Sequence, residues 1–268
     1  MANNLNDYFD EIYCTNLDSR LDRWTQVNAR FLEHEICVRR FSAADGNSAD
    51  LVREFSMIRT RLAEAGKSEP KYLKNSRALG CLISGMQIIE DAIRKGHQKI
   101  LLFDDDVVFH RDFEGILSSM ANLPHWKLLY LGCSQHSWEG IEMSGTHTYA
   151  AKHTHGTFAV GVDASIFDEI LNLYSEKEKN CDVYFMEIQD RYPLECPVLF
   201  PNLVIADVRE SSIRGARSQS AHADKVKWQL TDYELDSKHF AARILETLGL
   251  GRIGCIYRTL IAKLRWGR

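Results

Sequence analysis

The feature that most constrains the fold is a short apolar segment that ends in three consecutive aspartates. Ile100-Leu101-Leu102-Phe103 runs directly into Asp104-Asp105-Asp106. A continuous apolar run of this length is typical of a strand buried on both faces of a mostly parallel sheet. Three adjacent carboxylates repel one another, so they predict a bound cation, or alternatively a solvated loop that merely caps the strand.

Other segments alternate between strand and helix patterns. Strands are predicted at Glu11–Leu17, Val38–Phe41, Lys99–Phe103, Trp126–Leu131 and Thr157–Val162. Helices are predicted at Asp18–Glu33 with Asp18 or Ser19 as the cap, at Ala78–Lys95 between a Ser76 cap and Gly96, at Phe113–Met120 and at Ala164–Tyr174. Residues 66–77 are predicted to form a mobile loop. This alternation predicts an open α/β sheet, in which ligands bind beyond the carboxyl ends of the strands.

The charge is concentrated at one end of the chain. The formal net charge is −4, yet Arg243–Arg268 carries six basic residues and one acidic residue, which leaves −9 on the rest. A body without a basic face argues against a nucleic-acid partner. Apolar residues from Ile253 to Leu264 recur at helical spacing, so residues 241–268 are predicted to be a basic amphipathic tail on an anionic membrane surface, or a helix packed on the core.

Nothing in the sequence predicts export or a membrane span. The first ten residues are polar and acidic, and no window of eighteen uncharged apolar residues occurs. The seven cysteines include no C-x-x-C pair, which favours reduced thiols over disulfides or structural zinc. We therefore expect a cytoplasmic protein.

The aspartates have the chemistry of a hard-cation site. In a strand, Asp104 and Asp106 would point to one side and Asp105 to the other. Carboxylate oxygens are preferred ligands of Mg²⁺ and Mn²⁺, which keep open positions for phosphate oxygens. Such a cation would stabilise a departing diphosphate as a Lewis acid.

Several stretches, in order, resemble glycosyltransferase family 25, which includes lipooligosaccharide-biosynthesis enzymes and is related to the collagen galactosyltransferases. The matching stretches lie between residues 10 and 215 and are Ile12–Leu17 with Arg20 and Arg23, Arg40–Gly46, Leu79–Ser84, Leu102–Val107, Tyr130–Gly132 and Gly156–Ala159. Two positions depart from the family pattern. Gly85 stands where histidine is usual, and Asp104 replaces a glutamate.

The resemblance implies a GT-A-type nucleotide-sugar-binding domain over residues 1–240, inverting transfer and a metal held by the aspartates. It implies a donor, most simply a UDP-sugar, bound by Asn16, Arg20, Arg23, Asp45, Gly46, Ser84, Asp104 and Asp105. Arg20 and Arg23 are equally consistent with the solvated face of an amphipathic helix. Mn²⁺ or Mg²⁺ would be held by Asp104 and Asp106, with a late histidine, His222, as a further ligand. His222 lies in the polar stretch Ser211–Asp224, which is predicted to be a flexible loop that orders over the donor diphosphate.

Inverting transfer needs a general base for the acceptor hydroxyl. Asp182 is the first candidate, with a helix N-cap as its alternative role, and Glu187 is the second candidate. A further group of histidines, His147, His153 and His155, suggests zinc, but an exposed polar strand is the preferred interpretation.

The sequence thus predicts a metal-dependent glycosyltransferase that acts on a glycan or lipid-linked oligosaccharide of a bacterial surface polysaccharide, at the cytoplasmic face of the inner membrane. The alternatives are a catalytically silent nucleotide-sugar- or carbohydrate-binding module on the same fold, and a metal-dependent phosphoryl-transfer enzyme.

Overall fold

The computed structural model describes residues 4–67, 72–143, 147–211 and 217–235. The predicted tail, residues 241–268, lies outside the described residues, as do parts of the loops predicted at 66–77 and 211–224. The helices are α1 Leu5–Tyr8, α2 Leu21–Glu33, α3 Ala49–Glu64, α4 Ser76–Lys95, α5 Phe113–Ser118, α6 Phe167–Ser175, α7 Cys181–Arg191 and α8 Gln219–Val226. Short 3₁₀ helices occupy Asp18–Arg20, Ser119–Asn122, Ala164–Ile166, Val208–Glu210 and Leu230–Asp232.

The strands build one large sheet and one small one. They are β1 Glu11–Asn16, β2 Arg39–Ser42, β3 Lys99–Asp104, β4 Val107–Phe109, β5 Leu128–Ser134, β6 Thr148–Ala150, β7 His155–Asp163, β8 Pro197–Leu199 and β9 Val204–Ala206. The seven-stranded sheet has the order β2-β1-β3-β7-β5-β8-β6, and β4 pairs with β9 separately. Because β7 is antiparallel to β3 and β5, and β6 is antiparallel to β8, the other five strands share one direction.

Two hydrophobic clusters cover the two faces of the large sheet. One joins the sheet to α2, α5 and the β4–β9 pair through side chains such as Phe31 and Phe113. The other joins the opposite face to α3, α4, α6 and α7 through side chains such as Leu79 and Tyr184. Burial on both faces explains the uninterrupted apolar run of β3, and the predicted open α/β architecture is confirmed.

Several predicted boundaries shift for local reasons. The N-cap of α4 is Asn75 rather than Ser76, because the Asn75 side chain accepts a hydrogen bond from the Ala78 amide at 2.9 Å. Gly96 ends α4 in the left-handed conformation with φ 72°, as predicted. Asp18 does not cap α2, which begins at Leu21, because its carboxylate instead accepts hydrogen bonds from Ser42 and Arg40.

Two observations concern membrane-spanning helices and the cysteines. Of the described helices, none combines the length and the apolar character needed to cross a bilayer. The six cysteines in the described residues are all free thiols, as predicted. Cys14 and Cys133 lie in strands, Cys196 lies just before β8, and Cys181 begins α7. Burial raises the pKa of the Cys133, Cys181 and Cys196 thiols.

Candidate active site

Polar residues from five strands meet at one edge of the large sheet. β1 ends at Asn16, β2 at Ser42 and β3 at Asp104, all at the carboxyl ends of parallel neighbours. β5 ends at the same edge and β7, running the other way, begins there, so that Ser134 pairs with His155. Ligands of open α/β sheets bind at this edge, which makes it the candidate active site.

Asp105 and Asp106 are held by one buried arginine. The Arg23 guanidinium, on α2, lies 2.7 Å from an Asp105 oxygen and 2.9 Å from Asp106 Oδ2. The expectation that these two aspartates point to opposite sides is wrong. β3 ends at Asp104, and the following two residues form a turn into β4, where strand alternation no longer applies.

The three carboxylates carry more negative charge than the described arginine contact neutralises. Asp106 Oδ1 is buried and has no hydrogen-bond partner among the described residues. Burial, reinforced by the neighbouring carboxylates, raises the pKa of Asp104 and of Asp106 above the usual range of aspartate. An orphaned buried oxygen beside crowded carboxylates fits a divalent cation, whose charge would relieve the repulsion.

Asn16 fixes the orientation of the middle aspartate. Its side-chain amide donates to Asp105 Oδ2 at 2.7 Å and to the Arg20 carbonyl at 2.9 Å, and its carbonyl oxygen accepts from Arg40 Nε at 2.9 Å. Asn16 is itself 1% exposed, so its role is to position Asp105. Arg40 was not predicted as a site residue, although it begins one of the stretches that resemble the family.

Thr15 supports the first aspartate. Its hydroxyl donates to Asp104 Oδ1 at 3.1 Å, because Thr15 and Asp104 are register partners on β1 and β3. Thr15 was also missed as a site residue. Its place next to Asn16 at the end of the first strand is the signal that would have identified it.

The loop from Ala43 to Gly46 and Ser84 serve mainly to pack β2 against α4. Ser84 is buried, donates to the Gly80 carbonyl and accepts from the Ala44 amide at 2.9 Å. A Cβ atom at Gly46 would overlap the Arg77 backbone, so glycine permits the close approach to the start of α4. Asp45 is exposed and accepts a hydrogen bond from the Asn47 amide at 2.8 Å.

Arg20 is the more accessible of the two arginines predicted to bind the donor. Its side chain is 31% exposed and pairs with Asp22 at 3.0 Å, whereas the Arg23 side chain is 10% exposed. Burial lowers the pKa of Arg23, as does the nearby Arg20, but Asp106 and Asp105 raise it, and the net shift of this pKa is upward.

A second polar cluster at this edge contains His136, which follows β5, His155 at the start of β7, Asp182 on α7 and His222 on α8. His155 Nδ1 lies 3.4 Å from Asp182 Oδ2, and the ring centroid of His136 lies 5.3 Å from that of His155 and 5.8 Å from that of His222. His222 is buried on α8, with Nε2 at 3.3 Å from the Ser134 hydroxyl oxygen. The structure therefore brings His222 and Asp182 to the same edge through His136 and His155, two residues not proposed for the site from sequence.

The alternative role of Asp182 as a helix cap is not observed. The N-cap of α7 is Asn180, and Asp182 lies inside the first turn. Glu187, on α7, forms an ion pair with Lys179 Nζ at 2.8 Å. Glu187 is therefore held in an ion pair with Lys179, whereas Asp182 is the carboxylate that contacts His155.

The predicted exposed strand of histidines is only partly right. β6 ends at Ala150, His153 lies exposed in the following turn with φ 49°, and His155 begins β7, where it is partly buried. Across the described ranges, no three His, Cys, Asp or Glu side chains already converge as metal ligands. The same holds for Asp104, Asp106 and His222, which were predicted to share a cation.

The matching family model is that of glycosyltransferase family 25 (LPS biosynthesis protein), and it covers residues 9–158, more than half of the chain. A probable inactive glycosyltransferase 25 family member 3 from Bos taurus is 29% identical over 163 residues, 56% of this chain and 27% of its own length. Procollagen galactosyltransferase 2 from Homo sapiens is 26% identical over 130 residues, 46% of this chain and 21% of its own.

The chain thus spans about a quarter of the length of the curated relatives it matches. Among solved structures, it is similar to a glycosyltransferase involved in the glycosylation of the major capsid of PBCV-1, with a TM-score of 0.42 and 11% identity over 81% of this chain and 96% of that one. The family match spans β1, β2 and β3 and the aspartates between β3 and β4, which build the candidate site. This chain belongs to glycosyltransferase family 25.

Proposed function

We propose that this protein transfers a sugar from a nucleotide-sugar donor, most simply a UDP-sugar, to a glycan acceptor with inversion at the anomeric carbon. The observation that carries the proposal is the cluster of three carboxylates at the end of β3, opposed in the described contacts by Arg23. Three crowded carboxylates destabilise the fold unless a cation neutralises them. A cation at this position would also stabilise the diphosphate that leaves in glycosyl transfer.

Asp104 and Asp106 are proposed to hold Mn²⁺ or Mg²⁺, with His222 as a further ligand once the cation binds, because the three side chains do not already converge among the described residues. The orphaned Asp106 oxygen supports the first two residues, and the burial of His222 at the same edge supports the third. When bound, the cation would neutralise negative charge on the leaving diphosphate. Arg20, half-exposed beside the end of β1, is proposed to contact the same diphosphate.

The acceptor side of the reaction is assigned to the cluster around Asp182. Transfer with inversion requires removal of the proton of the attacking hydroxyl. Of the two predicted carboxylates, Asp182 is preferred to Glu187 as the one that takes part in this step, because Glu187 is paired with Lys179, whereas Asp182 contacts a histidine at the sheet edge.

A catalytically silent module on the same fold is the second candidate, since several matched relatives carry the description inactive or probable inactive. The two candidates differ in turnover. A silent module would bind a nucleotide-sugar without releasing the nucleotide, and a phosphoryl-transfer enzyme would release inorganic phosphate instead.

The deciding experiment incubates the full chain and Mn²⁺ with a panel of UDP-, GDP-, CMP- and dTDP-sugars and measures nucleotide release. The proposal expects slow donor hydrolysis for one donor class, lost in Asp106→Asn. Asp50→Asn is the matched control, because the Asp50 side chain is 86% exposed and pairs only locally with Arg53. Binding without release by the wild-type chain would favour the silent module.

We propose further that the acceptor is a bacterial surface polysaccharide or lipid-linked oligosaccharide, and that residues 241–268 bring the protein to an anionic membrane. The support is the sequence of that tail, net +5 from Arg243 to Arg268 with apolar residues at helical spacing. Each basic residue near an anionic surface contributes about 1 kcal/mol of binding.

Liposome flotation tests the membrane proposal. The full chain should float with anionic vesicles, stay behind with neutral ones, and be released by salt. A chain ending at Leu248 should remain soluble and active on a soluble acceptor. If the shortened chain unfolds and the full chain ignores anionic vesicles, the tail belongs to the core.

A further inference from the structure

His155, whose side chain contacts Asp182, is more accessible than Asp182 itself. Asp182 retains 11% of its side-chain exposure, and His155 retains 35%. The two side chains meet at 3.4 Å through His155 Nδ1 and Asp182 Oδ2, which leaves the other ring nitrogen, Nε2, as the part of the pair not used by this contact.

The contact with Asp182 favours the His155 tautomer that carries its proton on Nδ1. Asp182 lies in the first turn of α7, where the helix dipole favours an ionised carboxylate. An ionised carboxylate only accepts hydrogen bonds, so a hydrogen bond at this contact requires that Nδ1 carry the proton and donate to Asp182. Nε2 then carries a lone pair and is able to accept a proton.

The backbone around His155 is built to hold this ring at the sheet edge. The β5–β7 pairing shifts register twice between Tyr130 and Ser134, and irregularities of this kind re-aim side chains at the ends of sheets. Gly156 follows His155 with φ 89°, a conformation that favours glycine. On the other side, the Thr154 amide donates to buried Gln189 at 3.0 Å, which anchors the chain just before the ring.

We propose that His155 is the catalytic base of this chain and that Asp182 is the positioning residue behind it; this rests on the proposed function. The acceptor hydroxyl oxygen forms a bond to the anomeric carbon while the bond from that carbon to the diphosphate oxygen breaks, and the nucleoside diphosphate leaves with the electron pair. The hydroxyl proton passes to His155 Nε2. Asp182 stabilises the resulting imidazolium, which later returns the proton to solvent.

Two variants separate this arrangement from direct catalysis by Asp182. His155→Asn keeps an amide N–H near the position of Nδ1 but removes Nε2, and should lower kcat for transfer by roughly 10²–10⁴-fold with KM for the donor little changed. Asp182→Asn replaces the carboxylate by a neutral amide, which can also donate to Nδ1 and no longer stabilises the imidazolium, and it should also lower kcat. His153→Asn is the matched control, because His153 is exposed two residues away, and should retain wild-type rates.

Two measurements distinguish a base from a merely structural residue: rescue of kcat by added imidazole, and the tautomer of the His155 ring. Imidazole added to His155→Ala should restore part of kcat, but should not restore Asp182→Asn. In ¹⁵N NMR spectra of the full chain, the His155 ring should be protonated at Nδ1 in the wild type and lose that preference in Asp182→Asn.

The inference is overturned if His155→Asn retains wild-type kcat while Asp182→Asn does not, since Asp182 would then act directly. An Nε2-protonated His155 in the wild type overturns it as well, whatever the activity. Failure of the proposed function looks different: the wild-type chain itself would release no nucleotide from any donor with Mn²⁺.

Discussion

Replacing Asp104 by asparagine should make the metal-free protein more stable. The carboxylate lies among Asp105 and Asp106, and burial together with these two charges raises its pKa from 3.8 to about 7. Asparagine has nearly the same shape and keeps an oxygen that accepts the Thr15 hydrogen bond, now 3.1 Å long. The substitution therefore removes an unfavourable charge without opening a cavity.

The size of the effect follows from that shift in pKa. Three pKa units correspond to about 4 kcal/mol of destabilisation by the charged form. Because neighbouring carboxylates share this repulsion and relax when one is removed, we expect about half, ~2 kcal/mol. For a chain of this size that is a rise in Tm of roughly 4–8 °C.

The sign of the pH dependence is fixed by the direction of the shift. A carboxyl whose pKa is raised on folding is protonated and harmless below its unfolded value, and its cost is complete only above its folded value. The advantage of Asp104→Asn should thus be small near pH 4 and full above pH 7.

Thermal unfolding in EDTA, at pH 5 and pH 8, measures this directly, with Asp50→Asn as the exposed control. Added Mn²⁺ should stabilise the wild type and not Asp104→Asn. The difference in Tm between the variant and the wild type should therefore become smaller or change sign. A variant that is equally or less stable than wild type at pH 8 in EDTA would refute the account of the carboxylate cluster.

Other substitutions have equally definite outcomes. Arg23→Gln leaves Asp105 and Asp106 without their shared counter-charge and should cost about 3–5 kcal/mol in urea unfolding, partly recovered by Mn²⁺; an unchanged midpoint would mean that the pairs contribute little. Gly46→Ala should cost about 1–3 kcal/mol, because the new methyl group overlaps the Arg77 backbone, and a variant of wild-type Tm would contradict that close approach. Asn16→Ala should weaken UDP binding measured by calorimetry about tenfold through misorientation of Asp105, with far-UV circular dichroism unchanged; unchanged affinity would remove Asn16 from the donor site.

Sequence periodicity predicted the central part of the fold well. The apolar run of β3, the capped pattern of α4 and the glycine that ends it are local signals, and each appears within a few residues of its predicted position. α3, Ala49–Glu64, was missed, although Ser48 caps it with a hydrogen bond to the Leu51 amide. Its few buried residues, Ile58 and Leu62, leave a weak apolar stripe among charged side chains.

The candidate site was predictable where its residues follow one another in sequence. The aspartates and Asn16 lie at strand ends that the apolar pattern identifies. The contact of His155 with Asp182 was not predictable, because it joins β7 to α7 across 27 residues and depends on a register shift in β5. The buried positions of Ser84 and Gly46 likewise follow from the packing of the β2 loop on α4.

The central claim is that the carboxylates at the end of β3 hold a divalent cation together with a nucleoside diphosphate. Titration of the full chain with Mn²⁺, followed by electron paramagnetic resonance with and without UDP, tests it most directly. We predict one saturable Mn²⁺ site whose affinity for Mn²⁺ rises at least about tenfold when UDP is present. The site should be lost in Asp106→Asn and kept in Asp50→Asn. Absence of saturable binding in the wild type, or equal binding in Asp106→Asn, would contradict it.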